Sequence, residues 1–295
     1  MSATESGSGK AQEAVLYERA RAGVAVITLN RPEPLNAWGG DLVAGFYSCI
    51  DRAEDDPAVR VIVLTGRGTA FCAAAHLGSM ATIGESMREA GQHDVTELVG
   101  ERHPHFVTTL RKTVIAAING ACAGIGLTQA LMCDVRFAAA GAKFATSFAR
   151  RGTDGRVRDL VDTAALGGVG RRDGPAAFRA YLLCRRSGRS RRSLRGRLAR
   201  DPDDHVLDYA EDMVANCSPT SLAVIKRQTY GDATRGIVGS SARAEALMHE
   251  SLLRPDVVEG VTSFFDKRPP RFPALAPGHV GAISSGFGKE DHAQA

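Results

Sequence analysis

Apolar and polar positions change period in a regular order along this chain, and the order predicts strands alternating with helices. Apolar-rich runs at 15–19 and 24–29 read as two strands joined as a hairpin across 20–23. Leu42, Val43, Phe46, Ile50 and Ala53 then recur at helical spacing behind Asp41, which can cap a helix running to about Glu54. A continuous apolar run at 59–65 follows and reads as a buried strand. Strand, helix, strand in that order implies a parallel crossover and an α/β fold. Beyond it the pattern predicts a short helix at 106–112, a buried strand at 114–118 and a buried, alanine-containing helix at 127–132. Two short strands follow at 134–137 and 143–145. The chain from 205 onward reads as helical: 205–216, a helix opening at Ser218-Pro219, another at 242–253, and 261–265 behind the capping-box spacing of Asp256 and Glu259. Pro269 stops the last of them.

Composition narrows the class. At 295 residues, 44% apolar, the chain can bury a sizeable core, and no run approaches the roughly 20 apolar residues of a membrane span. Residues 1–12 are small and polar without the order of a signal peptide, which predicts a disordered lead-in and a cytoplasmic protein. The six cysteines are scattered with no C-x-x-C pair, so free thiols are expected rather than disulfides or a metal site. The net charge of +4 hides an asymmetry: residues 150–200 hold fifteen arginines and four aspartates, a local +11, which leaves −7 on the rest. No aromatic residues interleave these arginines in a stacking pattern, so a nucleic-acid partner is not expected. The block at 153–200 breaks the apolar periodicity, and like charges at helical spacing repel. It reads as a diverged insertion or a compensated reading-frame shift.

Candidate chemistry centres on residues 119–129, Asn-Gly-Ala-Cys-Ala-Gly-Ile-Gly-Leu-Thr-Gln, between the strand at 114–118 and the helix at 127–132. A strand, a glycine-rich turn and a helix place outward-pointing N–H groups at a helix N-terminus, suited to a phosphate or a developing oxyanion. The glycine spacing matches neither the Walker loop nor the dinucleotide fingerprint.

Four ordered motifs carry a resemblance. They are Val26-Ile27-Thr28-Leu29-Asn30-Arg31-Pro32 with Leu35-Asn36-Ala37, and Phe71-Cys72-Ala73-x-Ala75-x-Leu77 after a strand and turn. Ile118-Asn119-Gly120-x-Cys122-Ala123-Gly124-x-Gly126 is the third, and Glu259-Gly260 through Phe265-Asp266-Lys267-Arg268-Pro269 the fourth. Together, over about residues 14–150 and 205–275, the chain resembles the enoyl-CoA hydratase/isomerase (crotonase) family. The resemblance implies a spiral of ββα units with C-terminal helices. It divides the chain into a lead-in at 1–12, a core at 13–200, a helical trimerisation region at 201–275 and a disordered tail at 276–295. It further implies an acyl-CoA or enoyl-CoA substrate, 2-enoyl-CoA hydration in fatty-acid oxidation, no metal or redox cofactor, and a homotrimer or dimer of trimers.

By motif position the backbone N–H groups of Ala75 and Ile125 form the oxyanion hole. CoA lies along Leu35, Ala73, Ala75 and Gly124, with Lys267 as a phosphate partner. The hydratases of the family place one glutamate after the glycine turn and one after the Lys-Phe strand. Those positions fall here on Thr128 and Phe148, neither of which can act as a base near neutral pH. Gln129 can hold a water but not deprotonate it. His76 and Asp154 are the replacement bases within reach, and Asp134 reads as a structural carboxylate. A catalytically impaired acyl-CoA-binding relative is the alternative.

Overall fold

The expected hairpin is formed by β1 (Val15–Arg21) and β2 (Val24–Leu29), antiparallel, with Gly23 turning the chain at φ 76°. The computed structural model of the chain describes residues 13–73, 102, 104–146, 202–232 and 236–275. After α1 (Gly40–Asp55) the chain returns to β3 (Val61–Gly66), parallel to β2, so the crossover expected from the pattern is present. β4 (Ala70–Ala73) follows, then the short α2 (Phe106–Thr109), β5 (Thr113–Ile118), β6 (Ala121–Ala123), α3 (Ile125–Met132), β7 (Val135–Ala138) and β8 (Phe144–Ala145). Four helices close the described chain: α4 (Pro202–Asn216), α5 (Pro219–Gly231), α6 (Ile237–Leu252) and α7 (Pro255–Phe265).

The strands form two sheets. One has the order β1-β2-β3-β5-β7, and the other, entirely parallel, is β4-β6-β8. Each of β3, β5 and β7 in the large sheet is followed directly by its partner in the small one, so the chain adds one strand to each sheet per turn of a spiral.

Period-two alternation sorts the core to both faces of the large sheet. Ile27, Ile62, Leu64, Val114 and Ala116 join the cluster that contains Leu42, Phe46 and Ile50 of α1. Val24, Val61, Val63, Ile115 and Ala117 face the other way and meet Val206 and Ala210 of α4. Burial on both faces explains why β3 and β5 read as unbroken apolar runs. All five residues of the predicted α1 stripe are buried.

Three local expectations are corrected. Asp41 does not cap α1: Gly39 precedes the helix with no side-chain cap, and the Asp41 carboxylate accepts from Arg31 at 2.6 Å instead. α6 begins at Ile237, earlier than expected, because its first apolar residues, Ile237 and Val238, are exposed and give no one-sided pattern. Asp256 lies inside α7, behind Arg254 at the N-cap and Pro255 in the first turn, and its carboxylate accepts from the Ser218 hydroxyl. Ser218 does cap α5, its oxygen accepting from the Ser221 N–H at 3.0 Å. The expectations for 1–12, 153–200 and 276–295 lie outside the described residues. Among the described residues no helix is long and apolar enough to cross a membrane.

Buried charge ties the helices to the sheet. Asp134 Oδ2 accepts from the Val114 N–H and from Lys226 Nζ, both at 2.8 Å, and Lys226 also donates to the Lys112 carbonyl at 3.0 Å. Lys112 Nζ in turn donates to the Ala53 and Asp56 carbonyls at the end of α1, each at 2.7 Å. Removing one partner of such a pair leaves the other charge buried and unmatched. Lys226→Met should therefore lower stability by about 3 kcal/mol, read from the urea unfolding midpoint.

At the far end, Arg268 donates to both Glu259 oxygens (2.7 and 2.9 Å) and the Arg271 N–H to one of them, which holds the carboxyl at about 2, below its ordinary 4.5. A depressed acid contributes stability above its unfolded value and loses it as pH falls through the folded one. Glu259→Gln should lower the thermal midpoint at pH 7, and the gap from the parent chain should close between pH 4.5 and 2.

Candidate active site

Backbone geometry builds the site before any side chain does. β4 and β6 pair in parallel, Ala73 opposite Ala123, so the two strands finish at the same end of the small sheet. After β6 the chain turns at Gly124, φ 52° and ψ −124°, a conformation open in practice to glycine, and α3 begins at Ile125. Gly124 is held on both sides: its N–H donates to the Ala145 carbonyl at 3.0 Å, and its carbonyl accepts the Thr128 N–H at 3.1 Å. As the first residue of α3, Ile125 has an N–H that precedes the intrahelical ladder and stands at the positive end of the helix dipole.

Gly126 sets how closely α3 approaches β4. A Cβ there would strike the Cys72 carbonyl oxygen and lie 2.8 Å from the Cys72 sulfur. Cys72 is itself fully buried, and desolvation pushes its thiol up to about 12. Burial raises Cys122 strongly as well, and burial followed by the neighbouring Asp134 takes Cys133 to about 12. These sulfurs are neutral packing groups near pH 7, not nucleophiles.

The loop before α1 is locked onto β4. The Ala73 N–H donates to the Leu35 carbonyl at 3.0 Å. Leu35 and Asn36 both sit in the left-handed region, φ 55° and 54°, and buried Asn36 holds the turn. Its Oδ1 accepts from the Arg31 N–H at 2.8 Å, and its Nδ2 donates to the Arg67 and Ala70 carbonyls at 3.0 and 2.8 Å. Leu35 is left half-exposed on the outside of that turn. Reading the sequence picked Asn36 only as part of a motif; the structure makes it the residue that positions Leu35 beside Ala73.

Four of the residues singled out from the sequence, Leu35, Ala73, Gly124 and Ile125, are therefore brought together at one end of the small sheet. Thr128 lies one turn along α3, buried, with its hydroxyl 3.3 Å from the Gly124 carbonyl. Gln129 beside it is buried too, and among the described residues neither its Nε2 nor its Oε1 has a partner. Lys267 stands just past α7 with φ 53°, and its backbone N–H donates to the Phe264 carbonyl. Asp134 has the structural role expected of it. Burial, with Asp134 as a second cause, also raises the Tyr230 hydroxyl that bonds to it. Ala75, His76, Phe148 and Asp154 lie outside the described residues.

Comparison with known proteins places the chain in a family. The enoyl-CoA hydratase/isomerase family matches residues 19–274. An enoyl-CoA hydratase from Mycobacterium marinum is 50% identical in sequence, with a TM-score of 0.53, over 76% of this chain and all of that one. An enoyl-CoA hydratase from Polaromonas is 25% identical with a TM-score of 0.70, over 88% of this chain and 99% of that one. The 1,2-epoxyphenylacetyl-CoA isomerase of Escherichia coli is 30% identical over 85% of this chain and 95% of its own length. With the two interlocked sheets, the α/β crossover and the matched span in agreement, the chain belongs to the enoyl-CoA hydratase/isomerase family and has the crotonase fold.

Proposed function

We propose that this chain binds acyl-CoA and enoyl-CoA thioesters and hydrates a 2-enoyl-CoA, as in fatty-acid oxidation, using paired backbone N–H groups as an oxyanion hole. The observation that carries the reading is the Gly124–Ile125 turn, fixed against the end of β4 by the close approach of Gly126 to Cys72. As water adds to carbon 3, negative charge moves onto the thioester oxygen. Ile125 N–H, at the start of α3, is one donor to it. Ala75 N–H, two residues past the end of β4, is the other. Each such donor is worth about 3 kcal/mol in the transition state. Because both are backbone groups, the side chains at these positions are free to differ. The acyl-CoA lies along Leu35, Ala73 and Gly124, with Lys267 as a phosphate partner. The chemistry is proton transfer and C–O bond formation, which calls for no metal or redox cofactor.

A base is still required. Thr128 stands where the family places a glutamate, and its hydroxyl is committed to the Gly124 carbonyl. That observation favours a second reading, in which the chain binds the thioester without hydrating it. In the first reading His76 takes the proton from water.

The apolar surface of the C-terminal helices supports assembly as a homotrimer or a dimer of trimers. Ile237, Leu253, Phe264 and Phe265 are each at least 75% exposed in a single copy. We read these exposed apolar side chains as surface that a second copy covers. The five described cysteines are free thiols, in keeping with a reducing cytoplasmic setting.

Crotonyl-CoA mixed with the folded chain should lose the ultraviolet band of its conjugated double bond. A constant band would remove hydration and leave the binding reading. Gly126→Ala should force α3 away from Cys72, lowering stability by about 1–3 kcal/mol in thermal or urea unfolding and slowing any turnover.

A further inference from the structure

We infer that the Gln129 carboxamide is a substrate-recognition group that holds the 3-hydroxyl of a hydroxyacyl thioester, and the water that becomes it, over the first turn of α3. The inference rests on the thioester reading above and adds to it the acyl group that the site prefers.

Eight residues of α3 are buried, and two of them, Thr128 and Gln129, carry polar side chains. Thr128 is turned to its own helix, at 3.3 Å from the Gly124 carbonyl. Gln129 is 1% exposed, and among the described residues both ends of its amide lack a partner. Buried polar groups are rarely left so, because an amide removed from water loses bonds that nothing replaces. Asn36, Thr65, Lys112 and Lys226 are likewise buried and all bonded. Among the described residues the buried Trp38 Nε1 also lacks a partner, but it is a single donor on an otherwise apolar ring, whereas Gln129 leaves both a donor and an acceptor unmatched. Packing alone would place a leucine at 129, between Leu127 and Leu131 in an apolar helix. The glutamine is thus set by something other than packing.

Its place in the helix says what that is. Residue 129 lies one turn after Ile125, on the same face, and helix side chains lean back toward the N-terminus. The carboxamide therefore overlies the turn that presents the Ile125 N–H. A carboxamide offers a donor and an acceptor side by side, and a hydroxyl both gives and takes a hydrogen bond. A methylene offers neither. Carbon 3 of the acyl group, two bonds from the thioester carbonyl carbon, is where hydration places a hydroxyl. In that step the water oxygen bonds to carbon 3, and the proton count is closed by a proton on carbon 2. Gln129 holds the oxygen and neither takes nor gives the proton.

The test uses the full chain and its Gln129→Leu variant, with 3-hydroxybutyryl-CoA and butyryl-CoA measured by calorimetric titration. The parent chain should bind the hydroxy thioester about tenfold more tightly than the saturated one, the span of one good hydrogen bond. Gln129→Leu should bring the two affinities together, leave butyryl-CoA within about twofold and unfold at the same temperature or higher. No preference in the parent chain, or a preference that survives in Gln129→Leu, overturns the inference and leaves the thioester reading standing. A folded parent chain that binds neither thioester overturns both. Should Gln129→Leu fail to fold, Gln129→Met is measured in its place. Failure of both shows that the carboxamide is bonded within the fold, which also overturns the inference.

Discussion

The carbonyl oxygens of residues 69–72 are the surface on which the rest of the molecule is assembled. A Cβ at Gly66 would strike the Ala70 and Phe71 oxygens, one at Gly120 the Thr69 oxygen, and one at Gly126 the Cys72 oxygen. The ends of β3 and β5 and the start of α3 thus approach one short strand at a distance that no side chain tolerates. Asn36 and Asn119 add side-chain bonds to the same strand, both donating to the Ala70 carbonyl. The spiral can close only because backbone meets backbone there. The helix N-terminus that holds Ile125 is one outcome of that closure.

Polar groups in this interior fall into two sets with different work. The chain Asp134–Lys226–Lys112 connects β5, α5 and the end of α1, and each of its members is matched. Such a network fixes where helices dock, because breaking one bond strands the next group in a medium of low polarity. Gln129, a few residues from Asp134 along the chain, has no such match among the described residues. The difference separates a carboxylate that holds the fold from an amide available to a ligand.

Most of the framework was legible in the residues alone, because it depends on local periodicity. The α1 stripe and the unbroken runs of β3 and β5 reflect which faces are covered, and coverage leaves its mark on every residue of an element. The errors share a cause. Asp41 and Asp256 have good local reasons to cap helices, and each is drawn off by a partner farther away along the chain, Arg31 and Ser218. The start of α6 was hidden because Ile237 and Val238 face outward, where apolar residues carry no register. At the site, the glycine turn and Ile125 were legible because backbone geometry demands particular residues. The pairing of Asp134 with Lys226, 92 positions apart, was not, since nothing local distinguishes either residue.

The face of the large sheet formed by Val61, Val63, Ile115 and Ala117 is covered in the folded chain by Val206 and Ala210 of α4. Those covering residues come late. A ribosome adding about 5–20 residues per second needs several seconds between Ala145, the last residue of β8, and Pro202, the first of α4. Over that interval both sheets are available to form while one apolar face still waits for its cover. The order of residues along the chain therefore gives the nascent protein a period of exposure to aggregation that the finished fold no longer displays.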